Sequence, residues 1–313
     1  ELAANKILLP TAKLPPSETF VTTLYQHQQE SLTFMQNVER LVTKESLTAA
    51  TQTTKGKGGW MATDVGMGKT AIVLALIALD KRDRFSSVKE KSEGRLGTTV
   101  VLTSVALMGQ WEDEIKKHAP GLKTYRYHPS SRSRNPIDLN DRSSKVREKL
   151  LSADVIISTA TFEWPSHCTD LYVFRRVVMD EAHLLSNSTT ACIKYAGNIR
   201  AEFKWCVTAT PFLTSLTDLK HQIEFLEFPA TSPLREAWTK LTAAARYDGV
   251  GATGQLRRRF LAELQPYFIR HEKSEYVSGT MPLPPSTETS TVVVPMTDRE
   301  RSKFRSEIGR AHV

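Results

Sequence analysis

The stretch GGWMATDVGMGKTAIVLALIAL, residues 58–79, decides how the chain is read. It opens on a short apolar strand, passes through a turn holding Gly66 and Gly68, and runs on as an apolar helix. That order makes a phosphate cradle. Successive backbone N–H groups over residues 66–70 can converge on a polyphosphate at a helix N-terminus, and glycine is needed because a Cβ would block the approach. In this reading Asp64, Val65, Gly66, Met67 and Gly68 line a nucleotide, Lys69 reaches its β/γ-phosphates, and the Thr70 hydroxyl ligates Mg2+. The strict GxxxxGK[ST] pattern wants glycine where the sequence has Thr63, so the match leans on the strand before and the buried helix after.

The same theme of strand, turn and helix repeats outward from this point. Short apolar runs at 60–62, 99–102, 154–157, 177–179 and 205–207 carry apolar residues on both faces, as parallel strands covered by helices do. Helical patterns at 70–80, 106–118, 143–151, 189–199 and 215–226 lie between them. In the 106–118 segment Leu107, Trp111 and Ile115 share a face, and Lys116, Lys117 and His118 close it at the dipole-favoured end. Leu216, Leu219, Ile223 and Leu226 form the apolar side of 215–226. The alternation predicts an α/β fold: a mostly parallel sheet with helices on both faces. Upstream, Leu24, Tyr25, Leu32, Met35, Val38 and Val42 fall on one face of a first helix. Polar insertions at 81–97 and 128–144 read as surface loops, and a basic helical extension follows Leu226.

Three further signals carry chemistry. Residues 177–183, VVMDEAH, end a buried strand in two acids at the carboxyl edge of the sheet, where α/β ligand crevices form. Asp180 is placed to hold Mg2+, and Glu181 to orient and deprotonate an attacking water. Taken alone, Asp-Glu after a strand is equally a solvated turn. Thr208-Ala209-Thr210-Pro211 follows another apolar strand, where small hydroxyls can bond Asp180, Glu181 and His183 and sense a γ-phosphate. Gln28 sits in the apolar stripe of the first helix; its amide could read an adenine edge, or be satisfied within the protein.

Composition narrows the field. The 313 residues carry 42 Lys+Arg against 34 Asp+Glu, a net charge of +8, and the sequence pI is near 9.3. Apolar residues at 40% and charged residues at 24% are ordinary globular usage, which excludes global disorder. The cysteines Cys168, Cys192 and Cys206 form no CxxC, which argues against a disulfide scaffold or a cysteine-rich zinc module. The longest apolar stretch, residues 71–79, is short of the roughly 20 residues that span a bilayer, so no membrane is expected. The N-terminus has no secretory leader pattern, and the chain reads as part of something longer. The charge excess suits a polyanion partner, although Lys116-Lys117, Arg175-Arg176 and Arg257–Arg259 read first as solvated faces.

Taken in order, LYQHQQESLTFM (24–35), ATDVGMGKT (62–70), VVLTSVALMGQWEDEIKKHAP (100–120), DVIISTAT (154–161), VVMDEAHLLSN (177–187) and WCVTATPF (205–212) resemble the first RecA-like lobe of a Swi/Snf-type, superfamily-two ATPase. The subgroup of helicase-like transcription factor and its RING-bearing DNA-repair relatives is the most similar in feel. PYFIRHEKSEY (266–276) and the Pro/Thr-rich 281–304 resemble the passage from lobe one into lobe two. The likeness covers about residues 20–304 and implies a division into a lead-in (1–20), lobe one (21–228), a helical extension packed on it (229–275) and a linker (276–313) toward a second lobe.

The resemblance implies ATP and Mg2+ as cofactors. It gives Gln28 the adenine, Lys69 and Thr70 the triphosphate and metal, and Asp180 and Glu181 the metal and water. His183, Thr208 and Thr210 would couple nucleotide to DNA, and Thr103, Ser104, Ser158 and Thr159 would lie along one DNA strand. The implied activity is translocation on double-stranded DNA with remodelling of nucleosomes or other DNA-bound proteins, in chromatin or repair and in the nucleus. Four positions depart from the family pattern. Ala106 replaces a serine hydroxyl, Ala160 a tyrosine, Leu213-Thr214 a Gln-Asn pair, and His271 the second of two arginines. All lie in DNA-facing or lobe-closing segments, and none touches phosphate chemistry. A second lobe normally supplies an arginine finger worth orders of magnitude in rate, so this chain alone is expected to turn over little. Two alternatives stay open: a degenerate lobe that binds DNA or protein without hydrolysis, and an unrelated P-loop enzyme such as a nucleotide kinase.

Overall fold

The computed structural model describes residues 14–48, 56–83, 94–128, 135–185, 190–211, 218–247 and 253–276, all within one compact unit, Glu1–Tyr276. The expectations for Leu213, Thr214, Leu216 and the linker from residue 277 onward lie outside the described residues.

Seven strands form one sheet: β1 (Gly58–Thr63), β2 (Arg95–Leu102), β3 (Thr124–Arg126), β4 (Val155–Ser158), β5 (Val173–Asp180), β6 (Ala201–Val207) and β7 (Phe268–His271). Their order is β3-β4-β2-β5-β6-β1-β7, with every pair parallel. Helices α1 (Gln26–Thr48), α2 (Lys69–Asp83) and α3 (Met108–His118) cover one face. The other face carries α4 (Ser144–Ser152), α5 (Ser166–Leu171), α6 (Thr190–Asn198), α7 (Leu219–Phe225), α8 (Pro233–Tyr247) and α9 (Thr253–Leu264).

The strand period explains the two layers. On β5, Val177 and Met179 enter one core and Val178 the other; on β6, Cys206 faces one way and Trp205 and Val207 the other. Both faces being apolar is what a fully covered parallel sheet requires. β1 fits between β6 and the edge strand β7 because Gly58 and Gly59 lack a Cβ: one added at Gly58 would run into the backbone carbonyl of Lys204, and one at Gly59 into that of Tyr267.

The predicted strands and helices are present with shifted bounds, and the differences have physical causes. The region read as a helical extension packs Leu234, Ala237, Leu241, Phe260 and Leu264 into the core, but it ends in a strand, β7, which pairs with β1 from Trp60↔Phe268 to Thr63↔His271. Strands as short as β3 and β7 carry no periodicity to read. Tyr25, placed on the buried stripe, precedes the helix and is 45% exposed. Arg176, read as a solvated face, is fully buried on β5, where it meets Glu39 of α1 and Asp80 of α2.

Candidate nucleotide site

The carboxyl ends of β1, β5 and β6 bring the motif residues together. Met61 pairs with Val207, and Val207 with Asp180, so one strand separates the lysine-bearing loop from the acids. Neighbouring strands lie about 4.8 Å apart, a spacing of roughly 10 Å that side chains and a triphosphate can span.

The loop between β1 and α2 is built on two glycines. Gly66 (φ 82°) and Gly68 (φ 83°) occupy the left-handed region, and a Cβ on Gly68 would collide with the Gln28 amide. The loop curls around its own lysine: Lys69 Nζ donates to the carbonyls of Thr63 (2.9 Å) and Asp64 (3.2 Å). Burial holds the Lys69 pKa below the ordinary lysine value, while Glu181, Asp180 and Asp64 pull it back up. The lysine therefore senses both strand-end carboxylates.

Gln28 is buried at the loop's edge. Its Nε2 donates to Met67 O (3.1 Å) and its Oε1 accepts from Tyr25 N (2.9 Å). One N–H and one lone pair remain for an adenine edge. His27, missed by the sequence reading, puts Nε2 3.0 Å from the same Met67 oxygen. Asp64, expected at the nucleotide, is a latch: its N–H donates to His271 O (3.0 Å), its Oδ2 accepts from Lys273 N (3.1 Å), and Oδ1 lies 3.8 Å from the Arg270 guanidinium.

Asp180 is held on several sides. Its Oδ2 accepts from Trp111 Nε1 (2.7 Å) and Thr103 Oγ1 (3.2 Å), and its Oδ1 from Glu181 N (3.1 Å). Trp111 was read only as part of an apolar stripe; a buried indole N–H needs an acceptor, and that was the available signal. Glu181 follows in the left-handed region (φ 53°), a strained conformation for a non-glycine residue that breaks the strand's alternation. His183 Nδ1 lies 3.1 Å from Glu181 Oε2 and 3.0 Å from Thr208 Oγ1, and that hydroxyl also accepts from Thr210 N (3.1 Å). A chain of polar contacts thus links Glu181 through His183 to the end of β6.

The donor chemistry suits Mg2+. Among the described residues no group of three or more His, Cys, Asp or Glu could enclose a metal. One carboxylate with spare lone pairs, a hydroxyl and ligand oxygens is the hard, open set this ion takes with nucleotides. The residues expected along DNA are placed differently from one another. Thr103, 4% exposed, is engaged with Asp180; Ser158 is fully buried and donates to Tyr127 O (3.1 Å). Thr159, 3% exposed, shares a hydrogen bond with Thr161 (3.3 Å), and Ser104 is half-buried. No helix among the described residues is long and apolar enough to cross a membrane.

Curated proteins match the sequence over part of their length. The chain is 26% identical over 279 residues to DNA repair protein RAD5 of Yarrowia lipolytica, covering 81% of this chain and 25% of that protein. It is 30% identical over 185 residues to DNA repair protein rad8 of Schizosaccharomyces pombe, covering 55% of this chain and 16% of that one. The chain thus spans about a quarter or less of the length of these relatives. The SWI2/SNF2 ATPase core of Sulfolobus solfataricus in complex with dsDNA shares the fold, with a TM-score of 0.58 at 18% identity over 87% of this chain and 49% of that one. The family described as the SNF2-related domain matches residues 27–313, nearly the whole chain and every residue of the site, and the chain belongs to that family.

Proposed function

We propose that this chain is the nucleotide-binding lobe of an ATPase that is stimulated by double-stranded DNA, translocates on it, and remodels nucleosomes or other DNA-bound proteins during repair or chromatin change in the nucleus. One observation carries the reading: the strand register Met61↔Val207 and Val207↔Asp180 brings Lys69, Asp180 and Glu181 to one end of the sheet, with a single strand between the lysine-bearing loop and the acids. The names of the relatives, DNA repair proteins, and the dsDNA bound to a neighbour of the same fold supply the polymer.

Each residue then has a task. The loop N–H groups and Lys69 bind the phosphates of ATP; Asp180 and Thr70 would hold Mg2+. The metal supplies charge neutralisation of the phosphate oxygens. Glu181 orients water and accepts its proton. His183 ties Glu181 to Thr208 and Thr210, so a shift in one carboxylate reaches the end of β6. Gln28, braced by Met67, presents its remaining amide groups to the base. Ser104, which is half-buried at the end of β2, is the DNA candidate whose side chain has surface access; Thr103 serves Asp180. A second RecA-like lobe completes the γ-phosphate site.

The test is ATP turnover by a chain extended through the second lobe, with and without double-stranded DNA, beside Glu181→Gln. Stimulation by DNA that Glu181→Gln abolishes while Mg·ATP binding persists is the expected result. Vigorous DNA-stimulated turnover by these 313 residues alone, lost on Lys69→Ala, contradicts the need for a second lobe. No Mg·ATP affinity in either the wild type or Glu181→Gln establishes the degenerate-lobe alternative instead.

A further inference from the structure

The turn after β7 ends over the phosphate loop, and its lysine is not used by the site as described above. Lys273 is fixed there by its own backbone, whose N–H donates to Asp64 Oδ2 (3.1 Å), while the preceding strand contributes the His271 carbonyl to Asp64 N (3.0 Å). The side chain then lies along the loop: its Nζ is 3.7 Å, and its Cε 3.9 Å, from the place a Cβ on Gly66 would occupy. Gly66 has no side chain to keep the ammonium away.

Charge around this ammonium is unbalanced. The neighbouring Glu272 is turned to Arg270 (2.7 Å), and Asp64 receives the Lys273 backbone and the Arg270 guanidinium. Among the described residues no ion pair reaches Lys273 Nζ, whereas its charge is felt by Lys69, whose pKa it helps to lower. Two ammonium groups that repel one another at a glycine loop and the N-terminus of α2 form an arrangement that an anion relaxes. Charge-assisted bonds to phosphate oxygens are about twice as strong as neutral ones.

We propose that Lys273 is a second phosphate-binding cation of this site, carried over the loop by the segment that follows the sheet's last strand, and that it takes the polyphosphate of a nucleoside triphosphate together with Lys69. The inference rests on the loop's reading as a nucleotide cradle. It also gives the Asp64 latch a purpose: the latch sets the position of the lysine three residues beyond Arg270.

The test is equilibrium binding of fluorescent ATP to the 313-residue chain and its Lys273→Ala, Lys273→Arg and Lys69→Ala variants, with double-stranded DNA binding and thermal melting measured on each. Lys273→Ala keeps the backbone bond to Asp64, so it removes the ammonium alone. The expected result is about tenfold weaker ATP binding for Lys273→Ala, a shallower dependence on salt, an unchanged Tm, and recovery to within about threefold in Lys273→Arg. Unchanged ATP affinity in Lys273→Ala beside a large loss in Lys69→Ala overturns this proposal and leaves the cradle standing. Unchanged affinity in Lys69→Ala overturns the cradle itself. Equal losses in both Lys273 variants with a lowered Tm, or a loss confined to DNA binding, also overturn the role given to Lys273.

Discussion

Two charged regions of this molecule contain the same kinds of group and treat them in opposite ways. Inside the sheet, the fully buried Arg176 guanidinium grips Glu39 with two hydrogen bonds (2.9 and 2.7 Å), meets Asp80 and reaches Thr99 Oγ1 (3.3 Å), while Trp205 Nε1 donates to Glu39 (3.0 Å). At the carboxyl edge, Lys69 bonds, among the described residues, just the backbone carbonyls of Thr63 and Asp64, and Lys273 lies against Gly66. The first region is sealed, with each charge matched by protein. The second is half-buried and holds Asp64, Asp180 and Glu181 beside its lysines, yet among the described residues no side-chain ion pair reaches either lysine. The two are mechanically joined. Glu39 and Asp80 stand about three helical turns beyond Gln28 and Lys69 on α1 and α2, and Arg176 lies four residues before Asp180 on the same face of β5. The ion cluster therefore pins the far ends of three elements whose near ends carry Gln28, Lys69 and Asp180, the groups proposed to bind nucleotide.

The contrast breaks in measurable ways. Arg176→Ala leaves the buried Glu39 without its cation, while the half-buried Asp80 keeps Arg175 (3.4 Å), and urea unfolding should show a loss of about 3–5 kcal/mol; a loss below about 1 kcal/mol would mean that the cluster is dispensable. His271 comes next. Burial, with His27 beside it, lowers its pKa to about 4 from 6.5, against an opposing pull from Glu30. The unfolded chain then binds the extra proton between those values, so stability is complete above pH 6.5 and declines as the pH falls toward 4, by roughly 3 kcal/mol in all. In His271→Phe that part of the pH profile should flatten, and an unchanged slope would assign it to other groups. At the open region Lys69→Ala should weaken Mg·ATP binding on the order of 100-fold, about 2.7 kcal/mol, with little change in Tm. Trp111→Phe is the smallest expected effect. Releasing one bond on Asp180 should cost roughly 1–2 kcal/mol in stability or in Mg2+-dependent affinity, read by titration at several Mg2+ concentrations.

The open region was far more legible in the sequence than the sealed one, for a physical reason. A phosphate loop is local: the residues proposed to form it, Gly66, Gly68, Lys69 and Thr70, lie within five positions of one another, so their spacing can be read directly. Asp180-Glu181 and Thr208-Thr210 could be read because each ends an apolar strand. Glu39, Asp80 and Arg176 come from three distant segments, and no spacing announces that they meet. The adjacent Arg175 and Arg176 look alike on paper, yet Arg175 stays half-buried between Glu202 and Asp80 while Arg176 is fully buried. Trp111 hid its hydrogen bond inside an apolar stripe. The brace from β7 to Asp64 depends on a four-residue edge strand too short to show a period.

The central claim is that the lysine-tipped loop and the strand-end acids bind one Mg·nucleotide. A double-mutant cycle on Mg·ATP affinity, with Lys69→Ala, Asp180→Asn and the double variant measured by calorimetry, tests it most directly. The account predicts that both single variants weaken binding and that the double variant departs from their sum by about 1 kcal/mol or more. Effects that add to within about 0.5 kcal/mol would place the two groups in separate sites and contradict it.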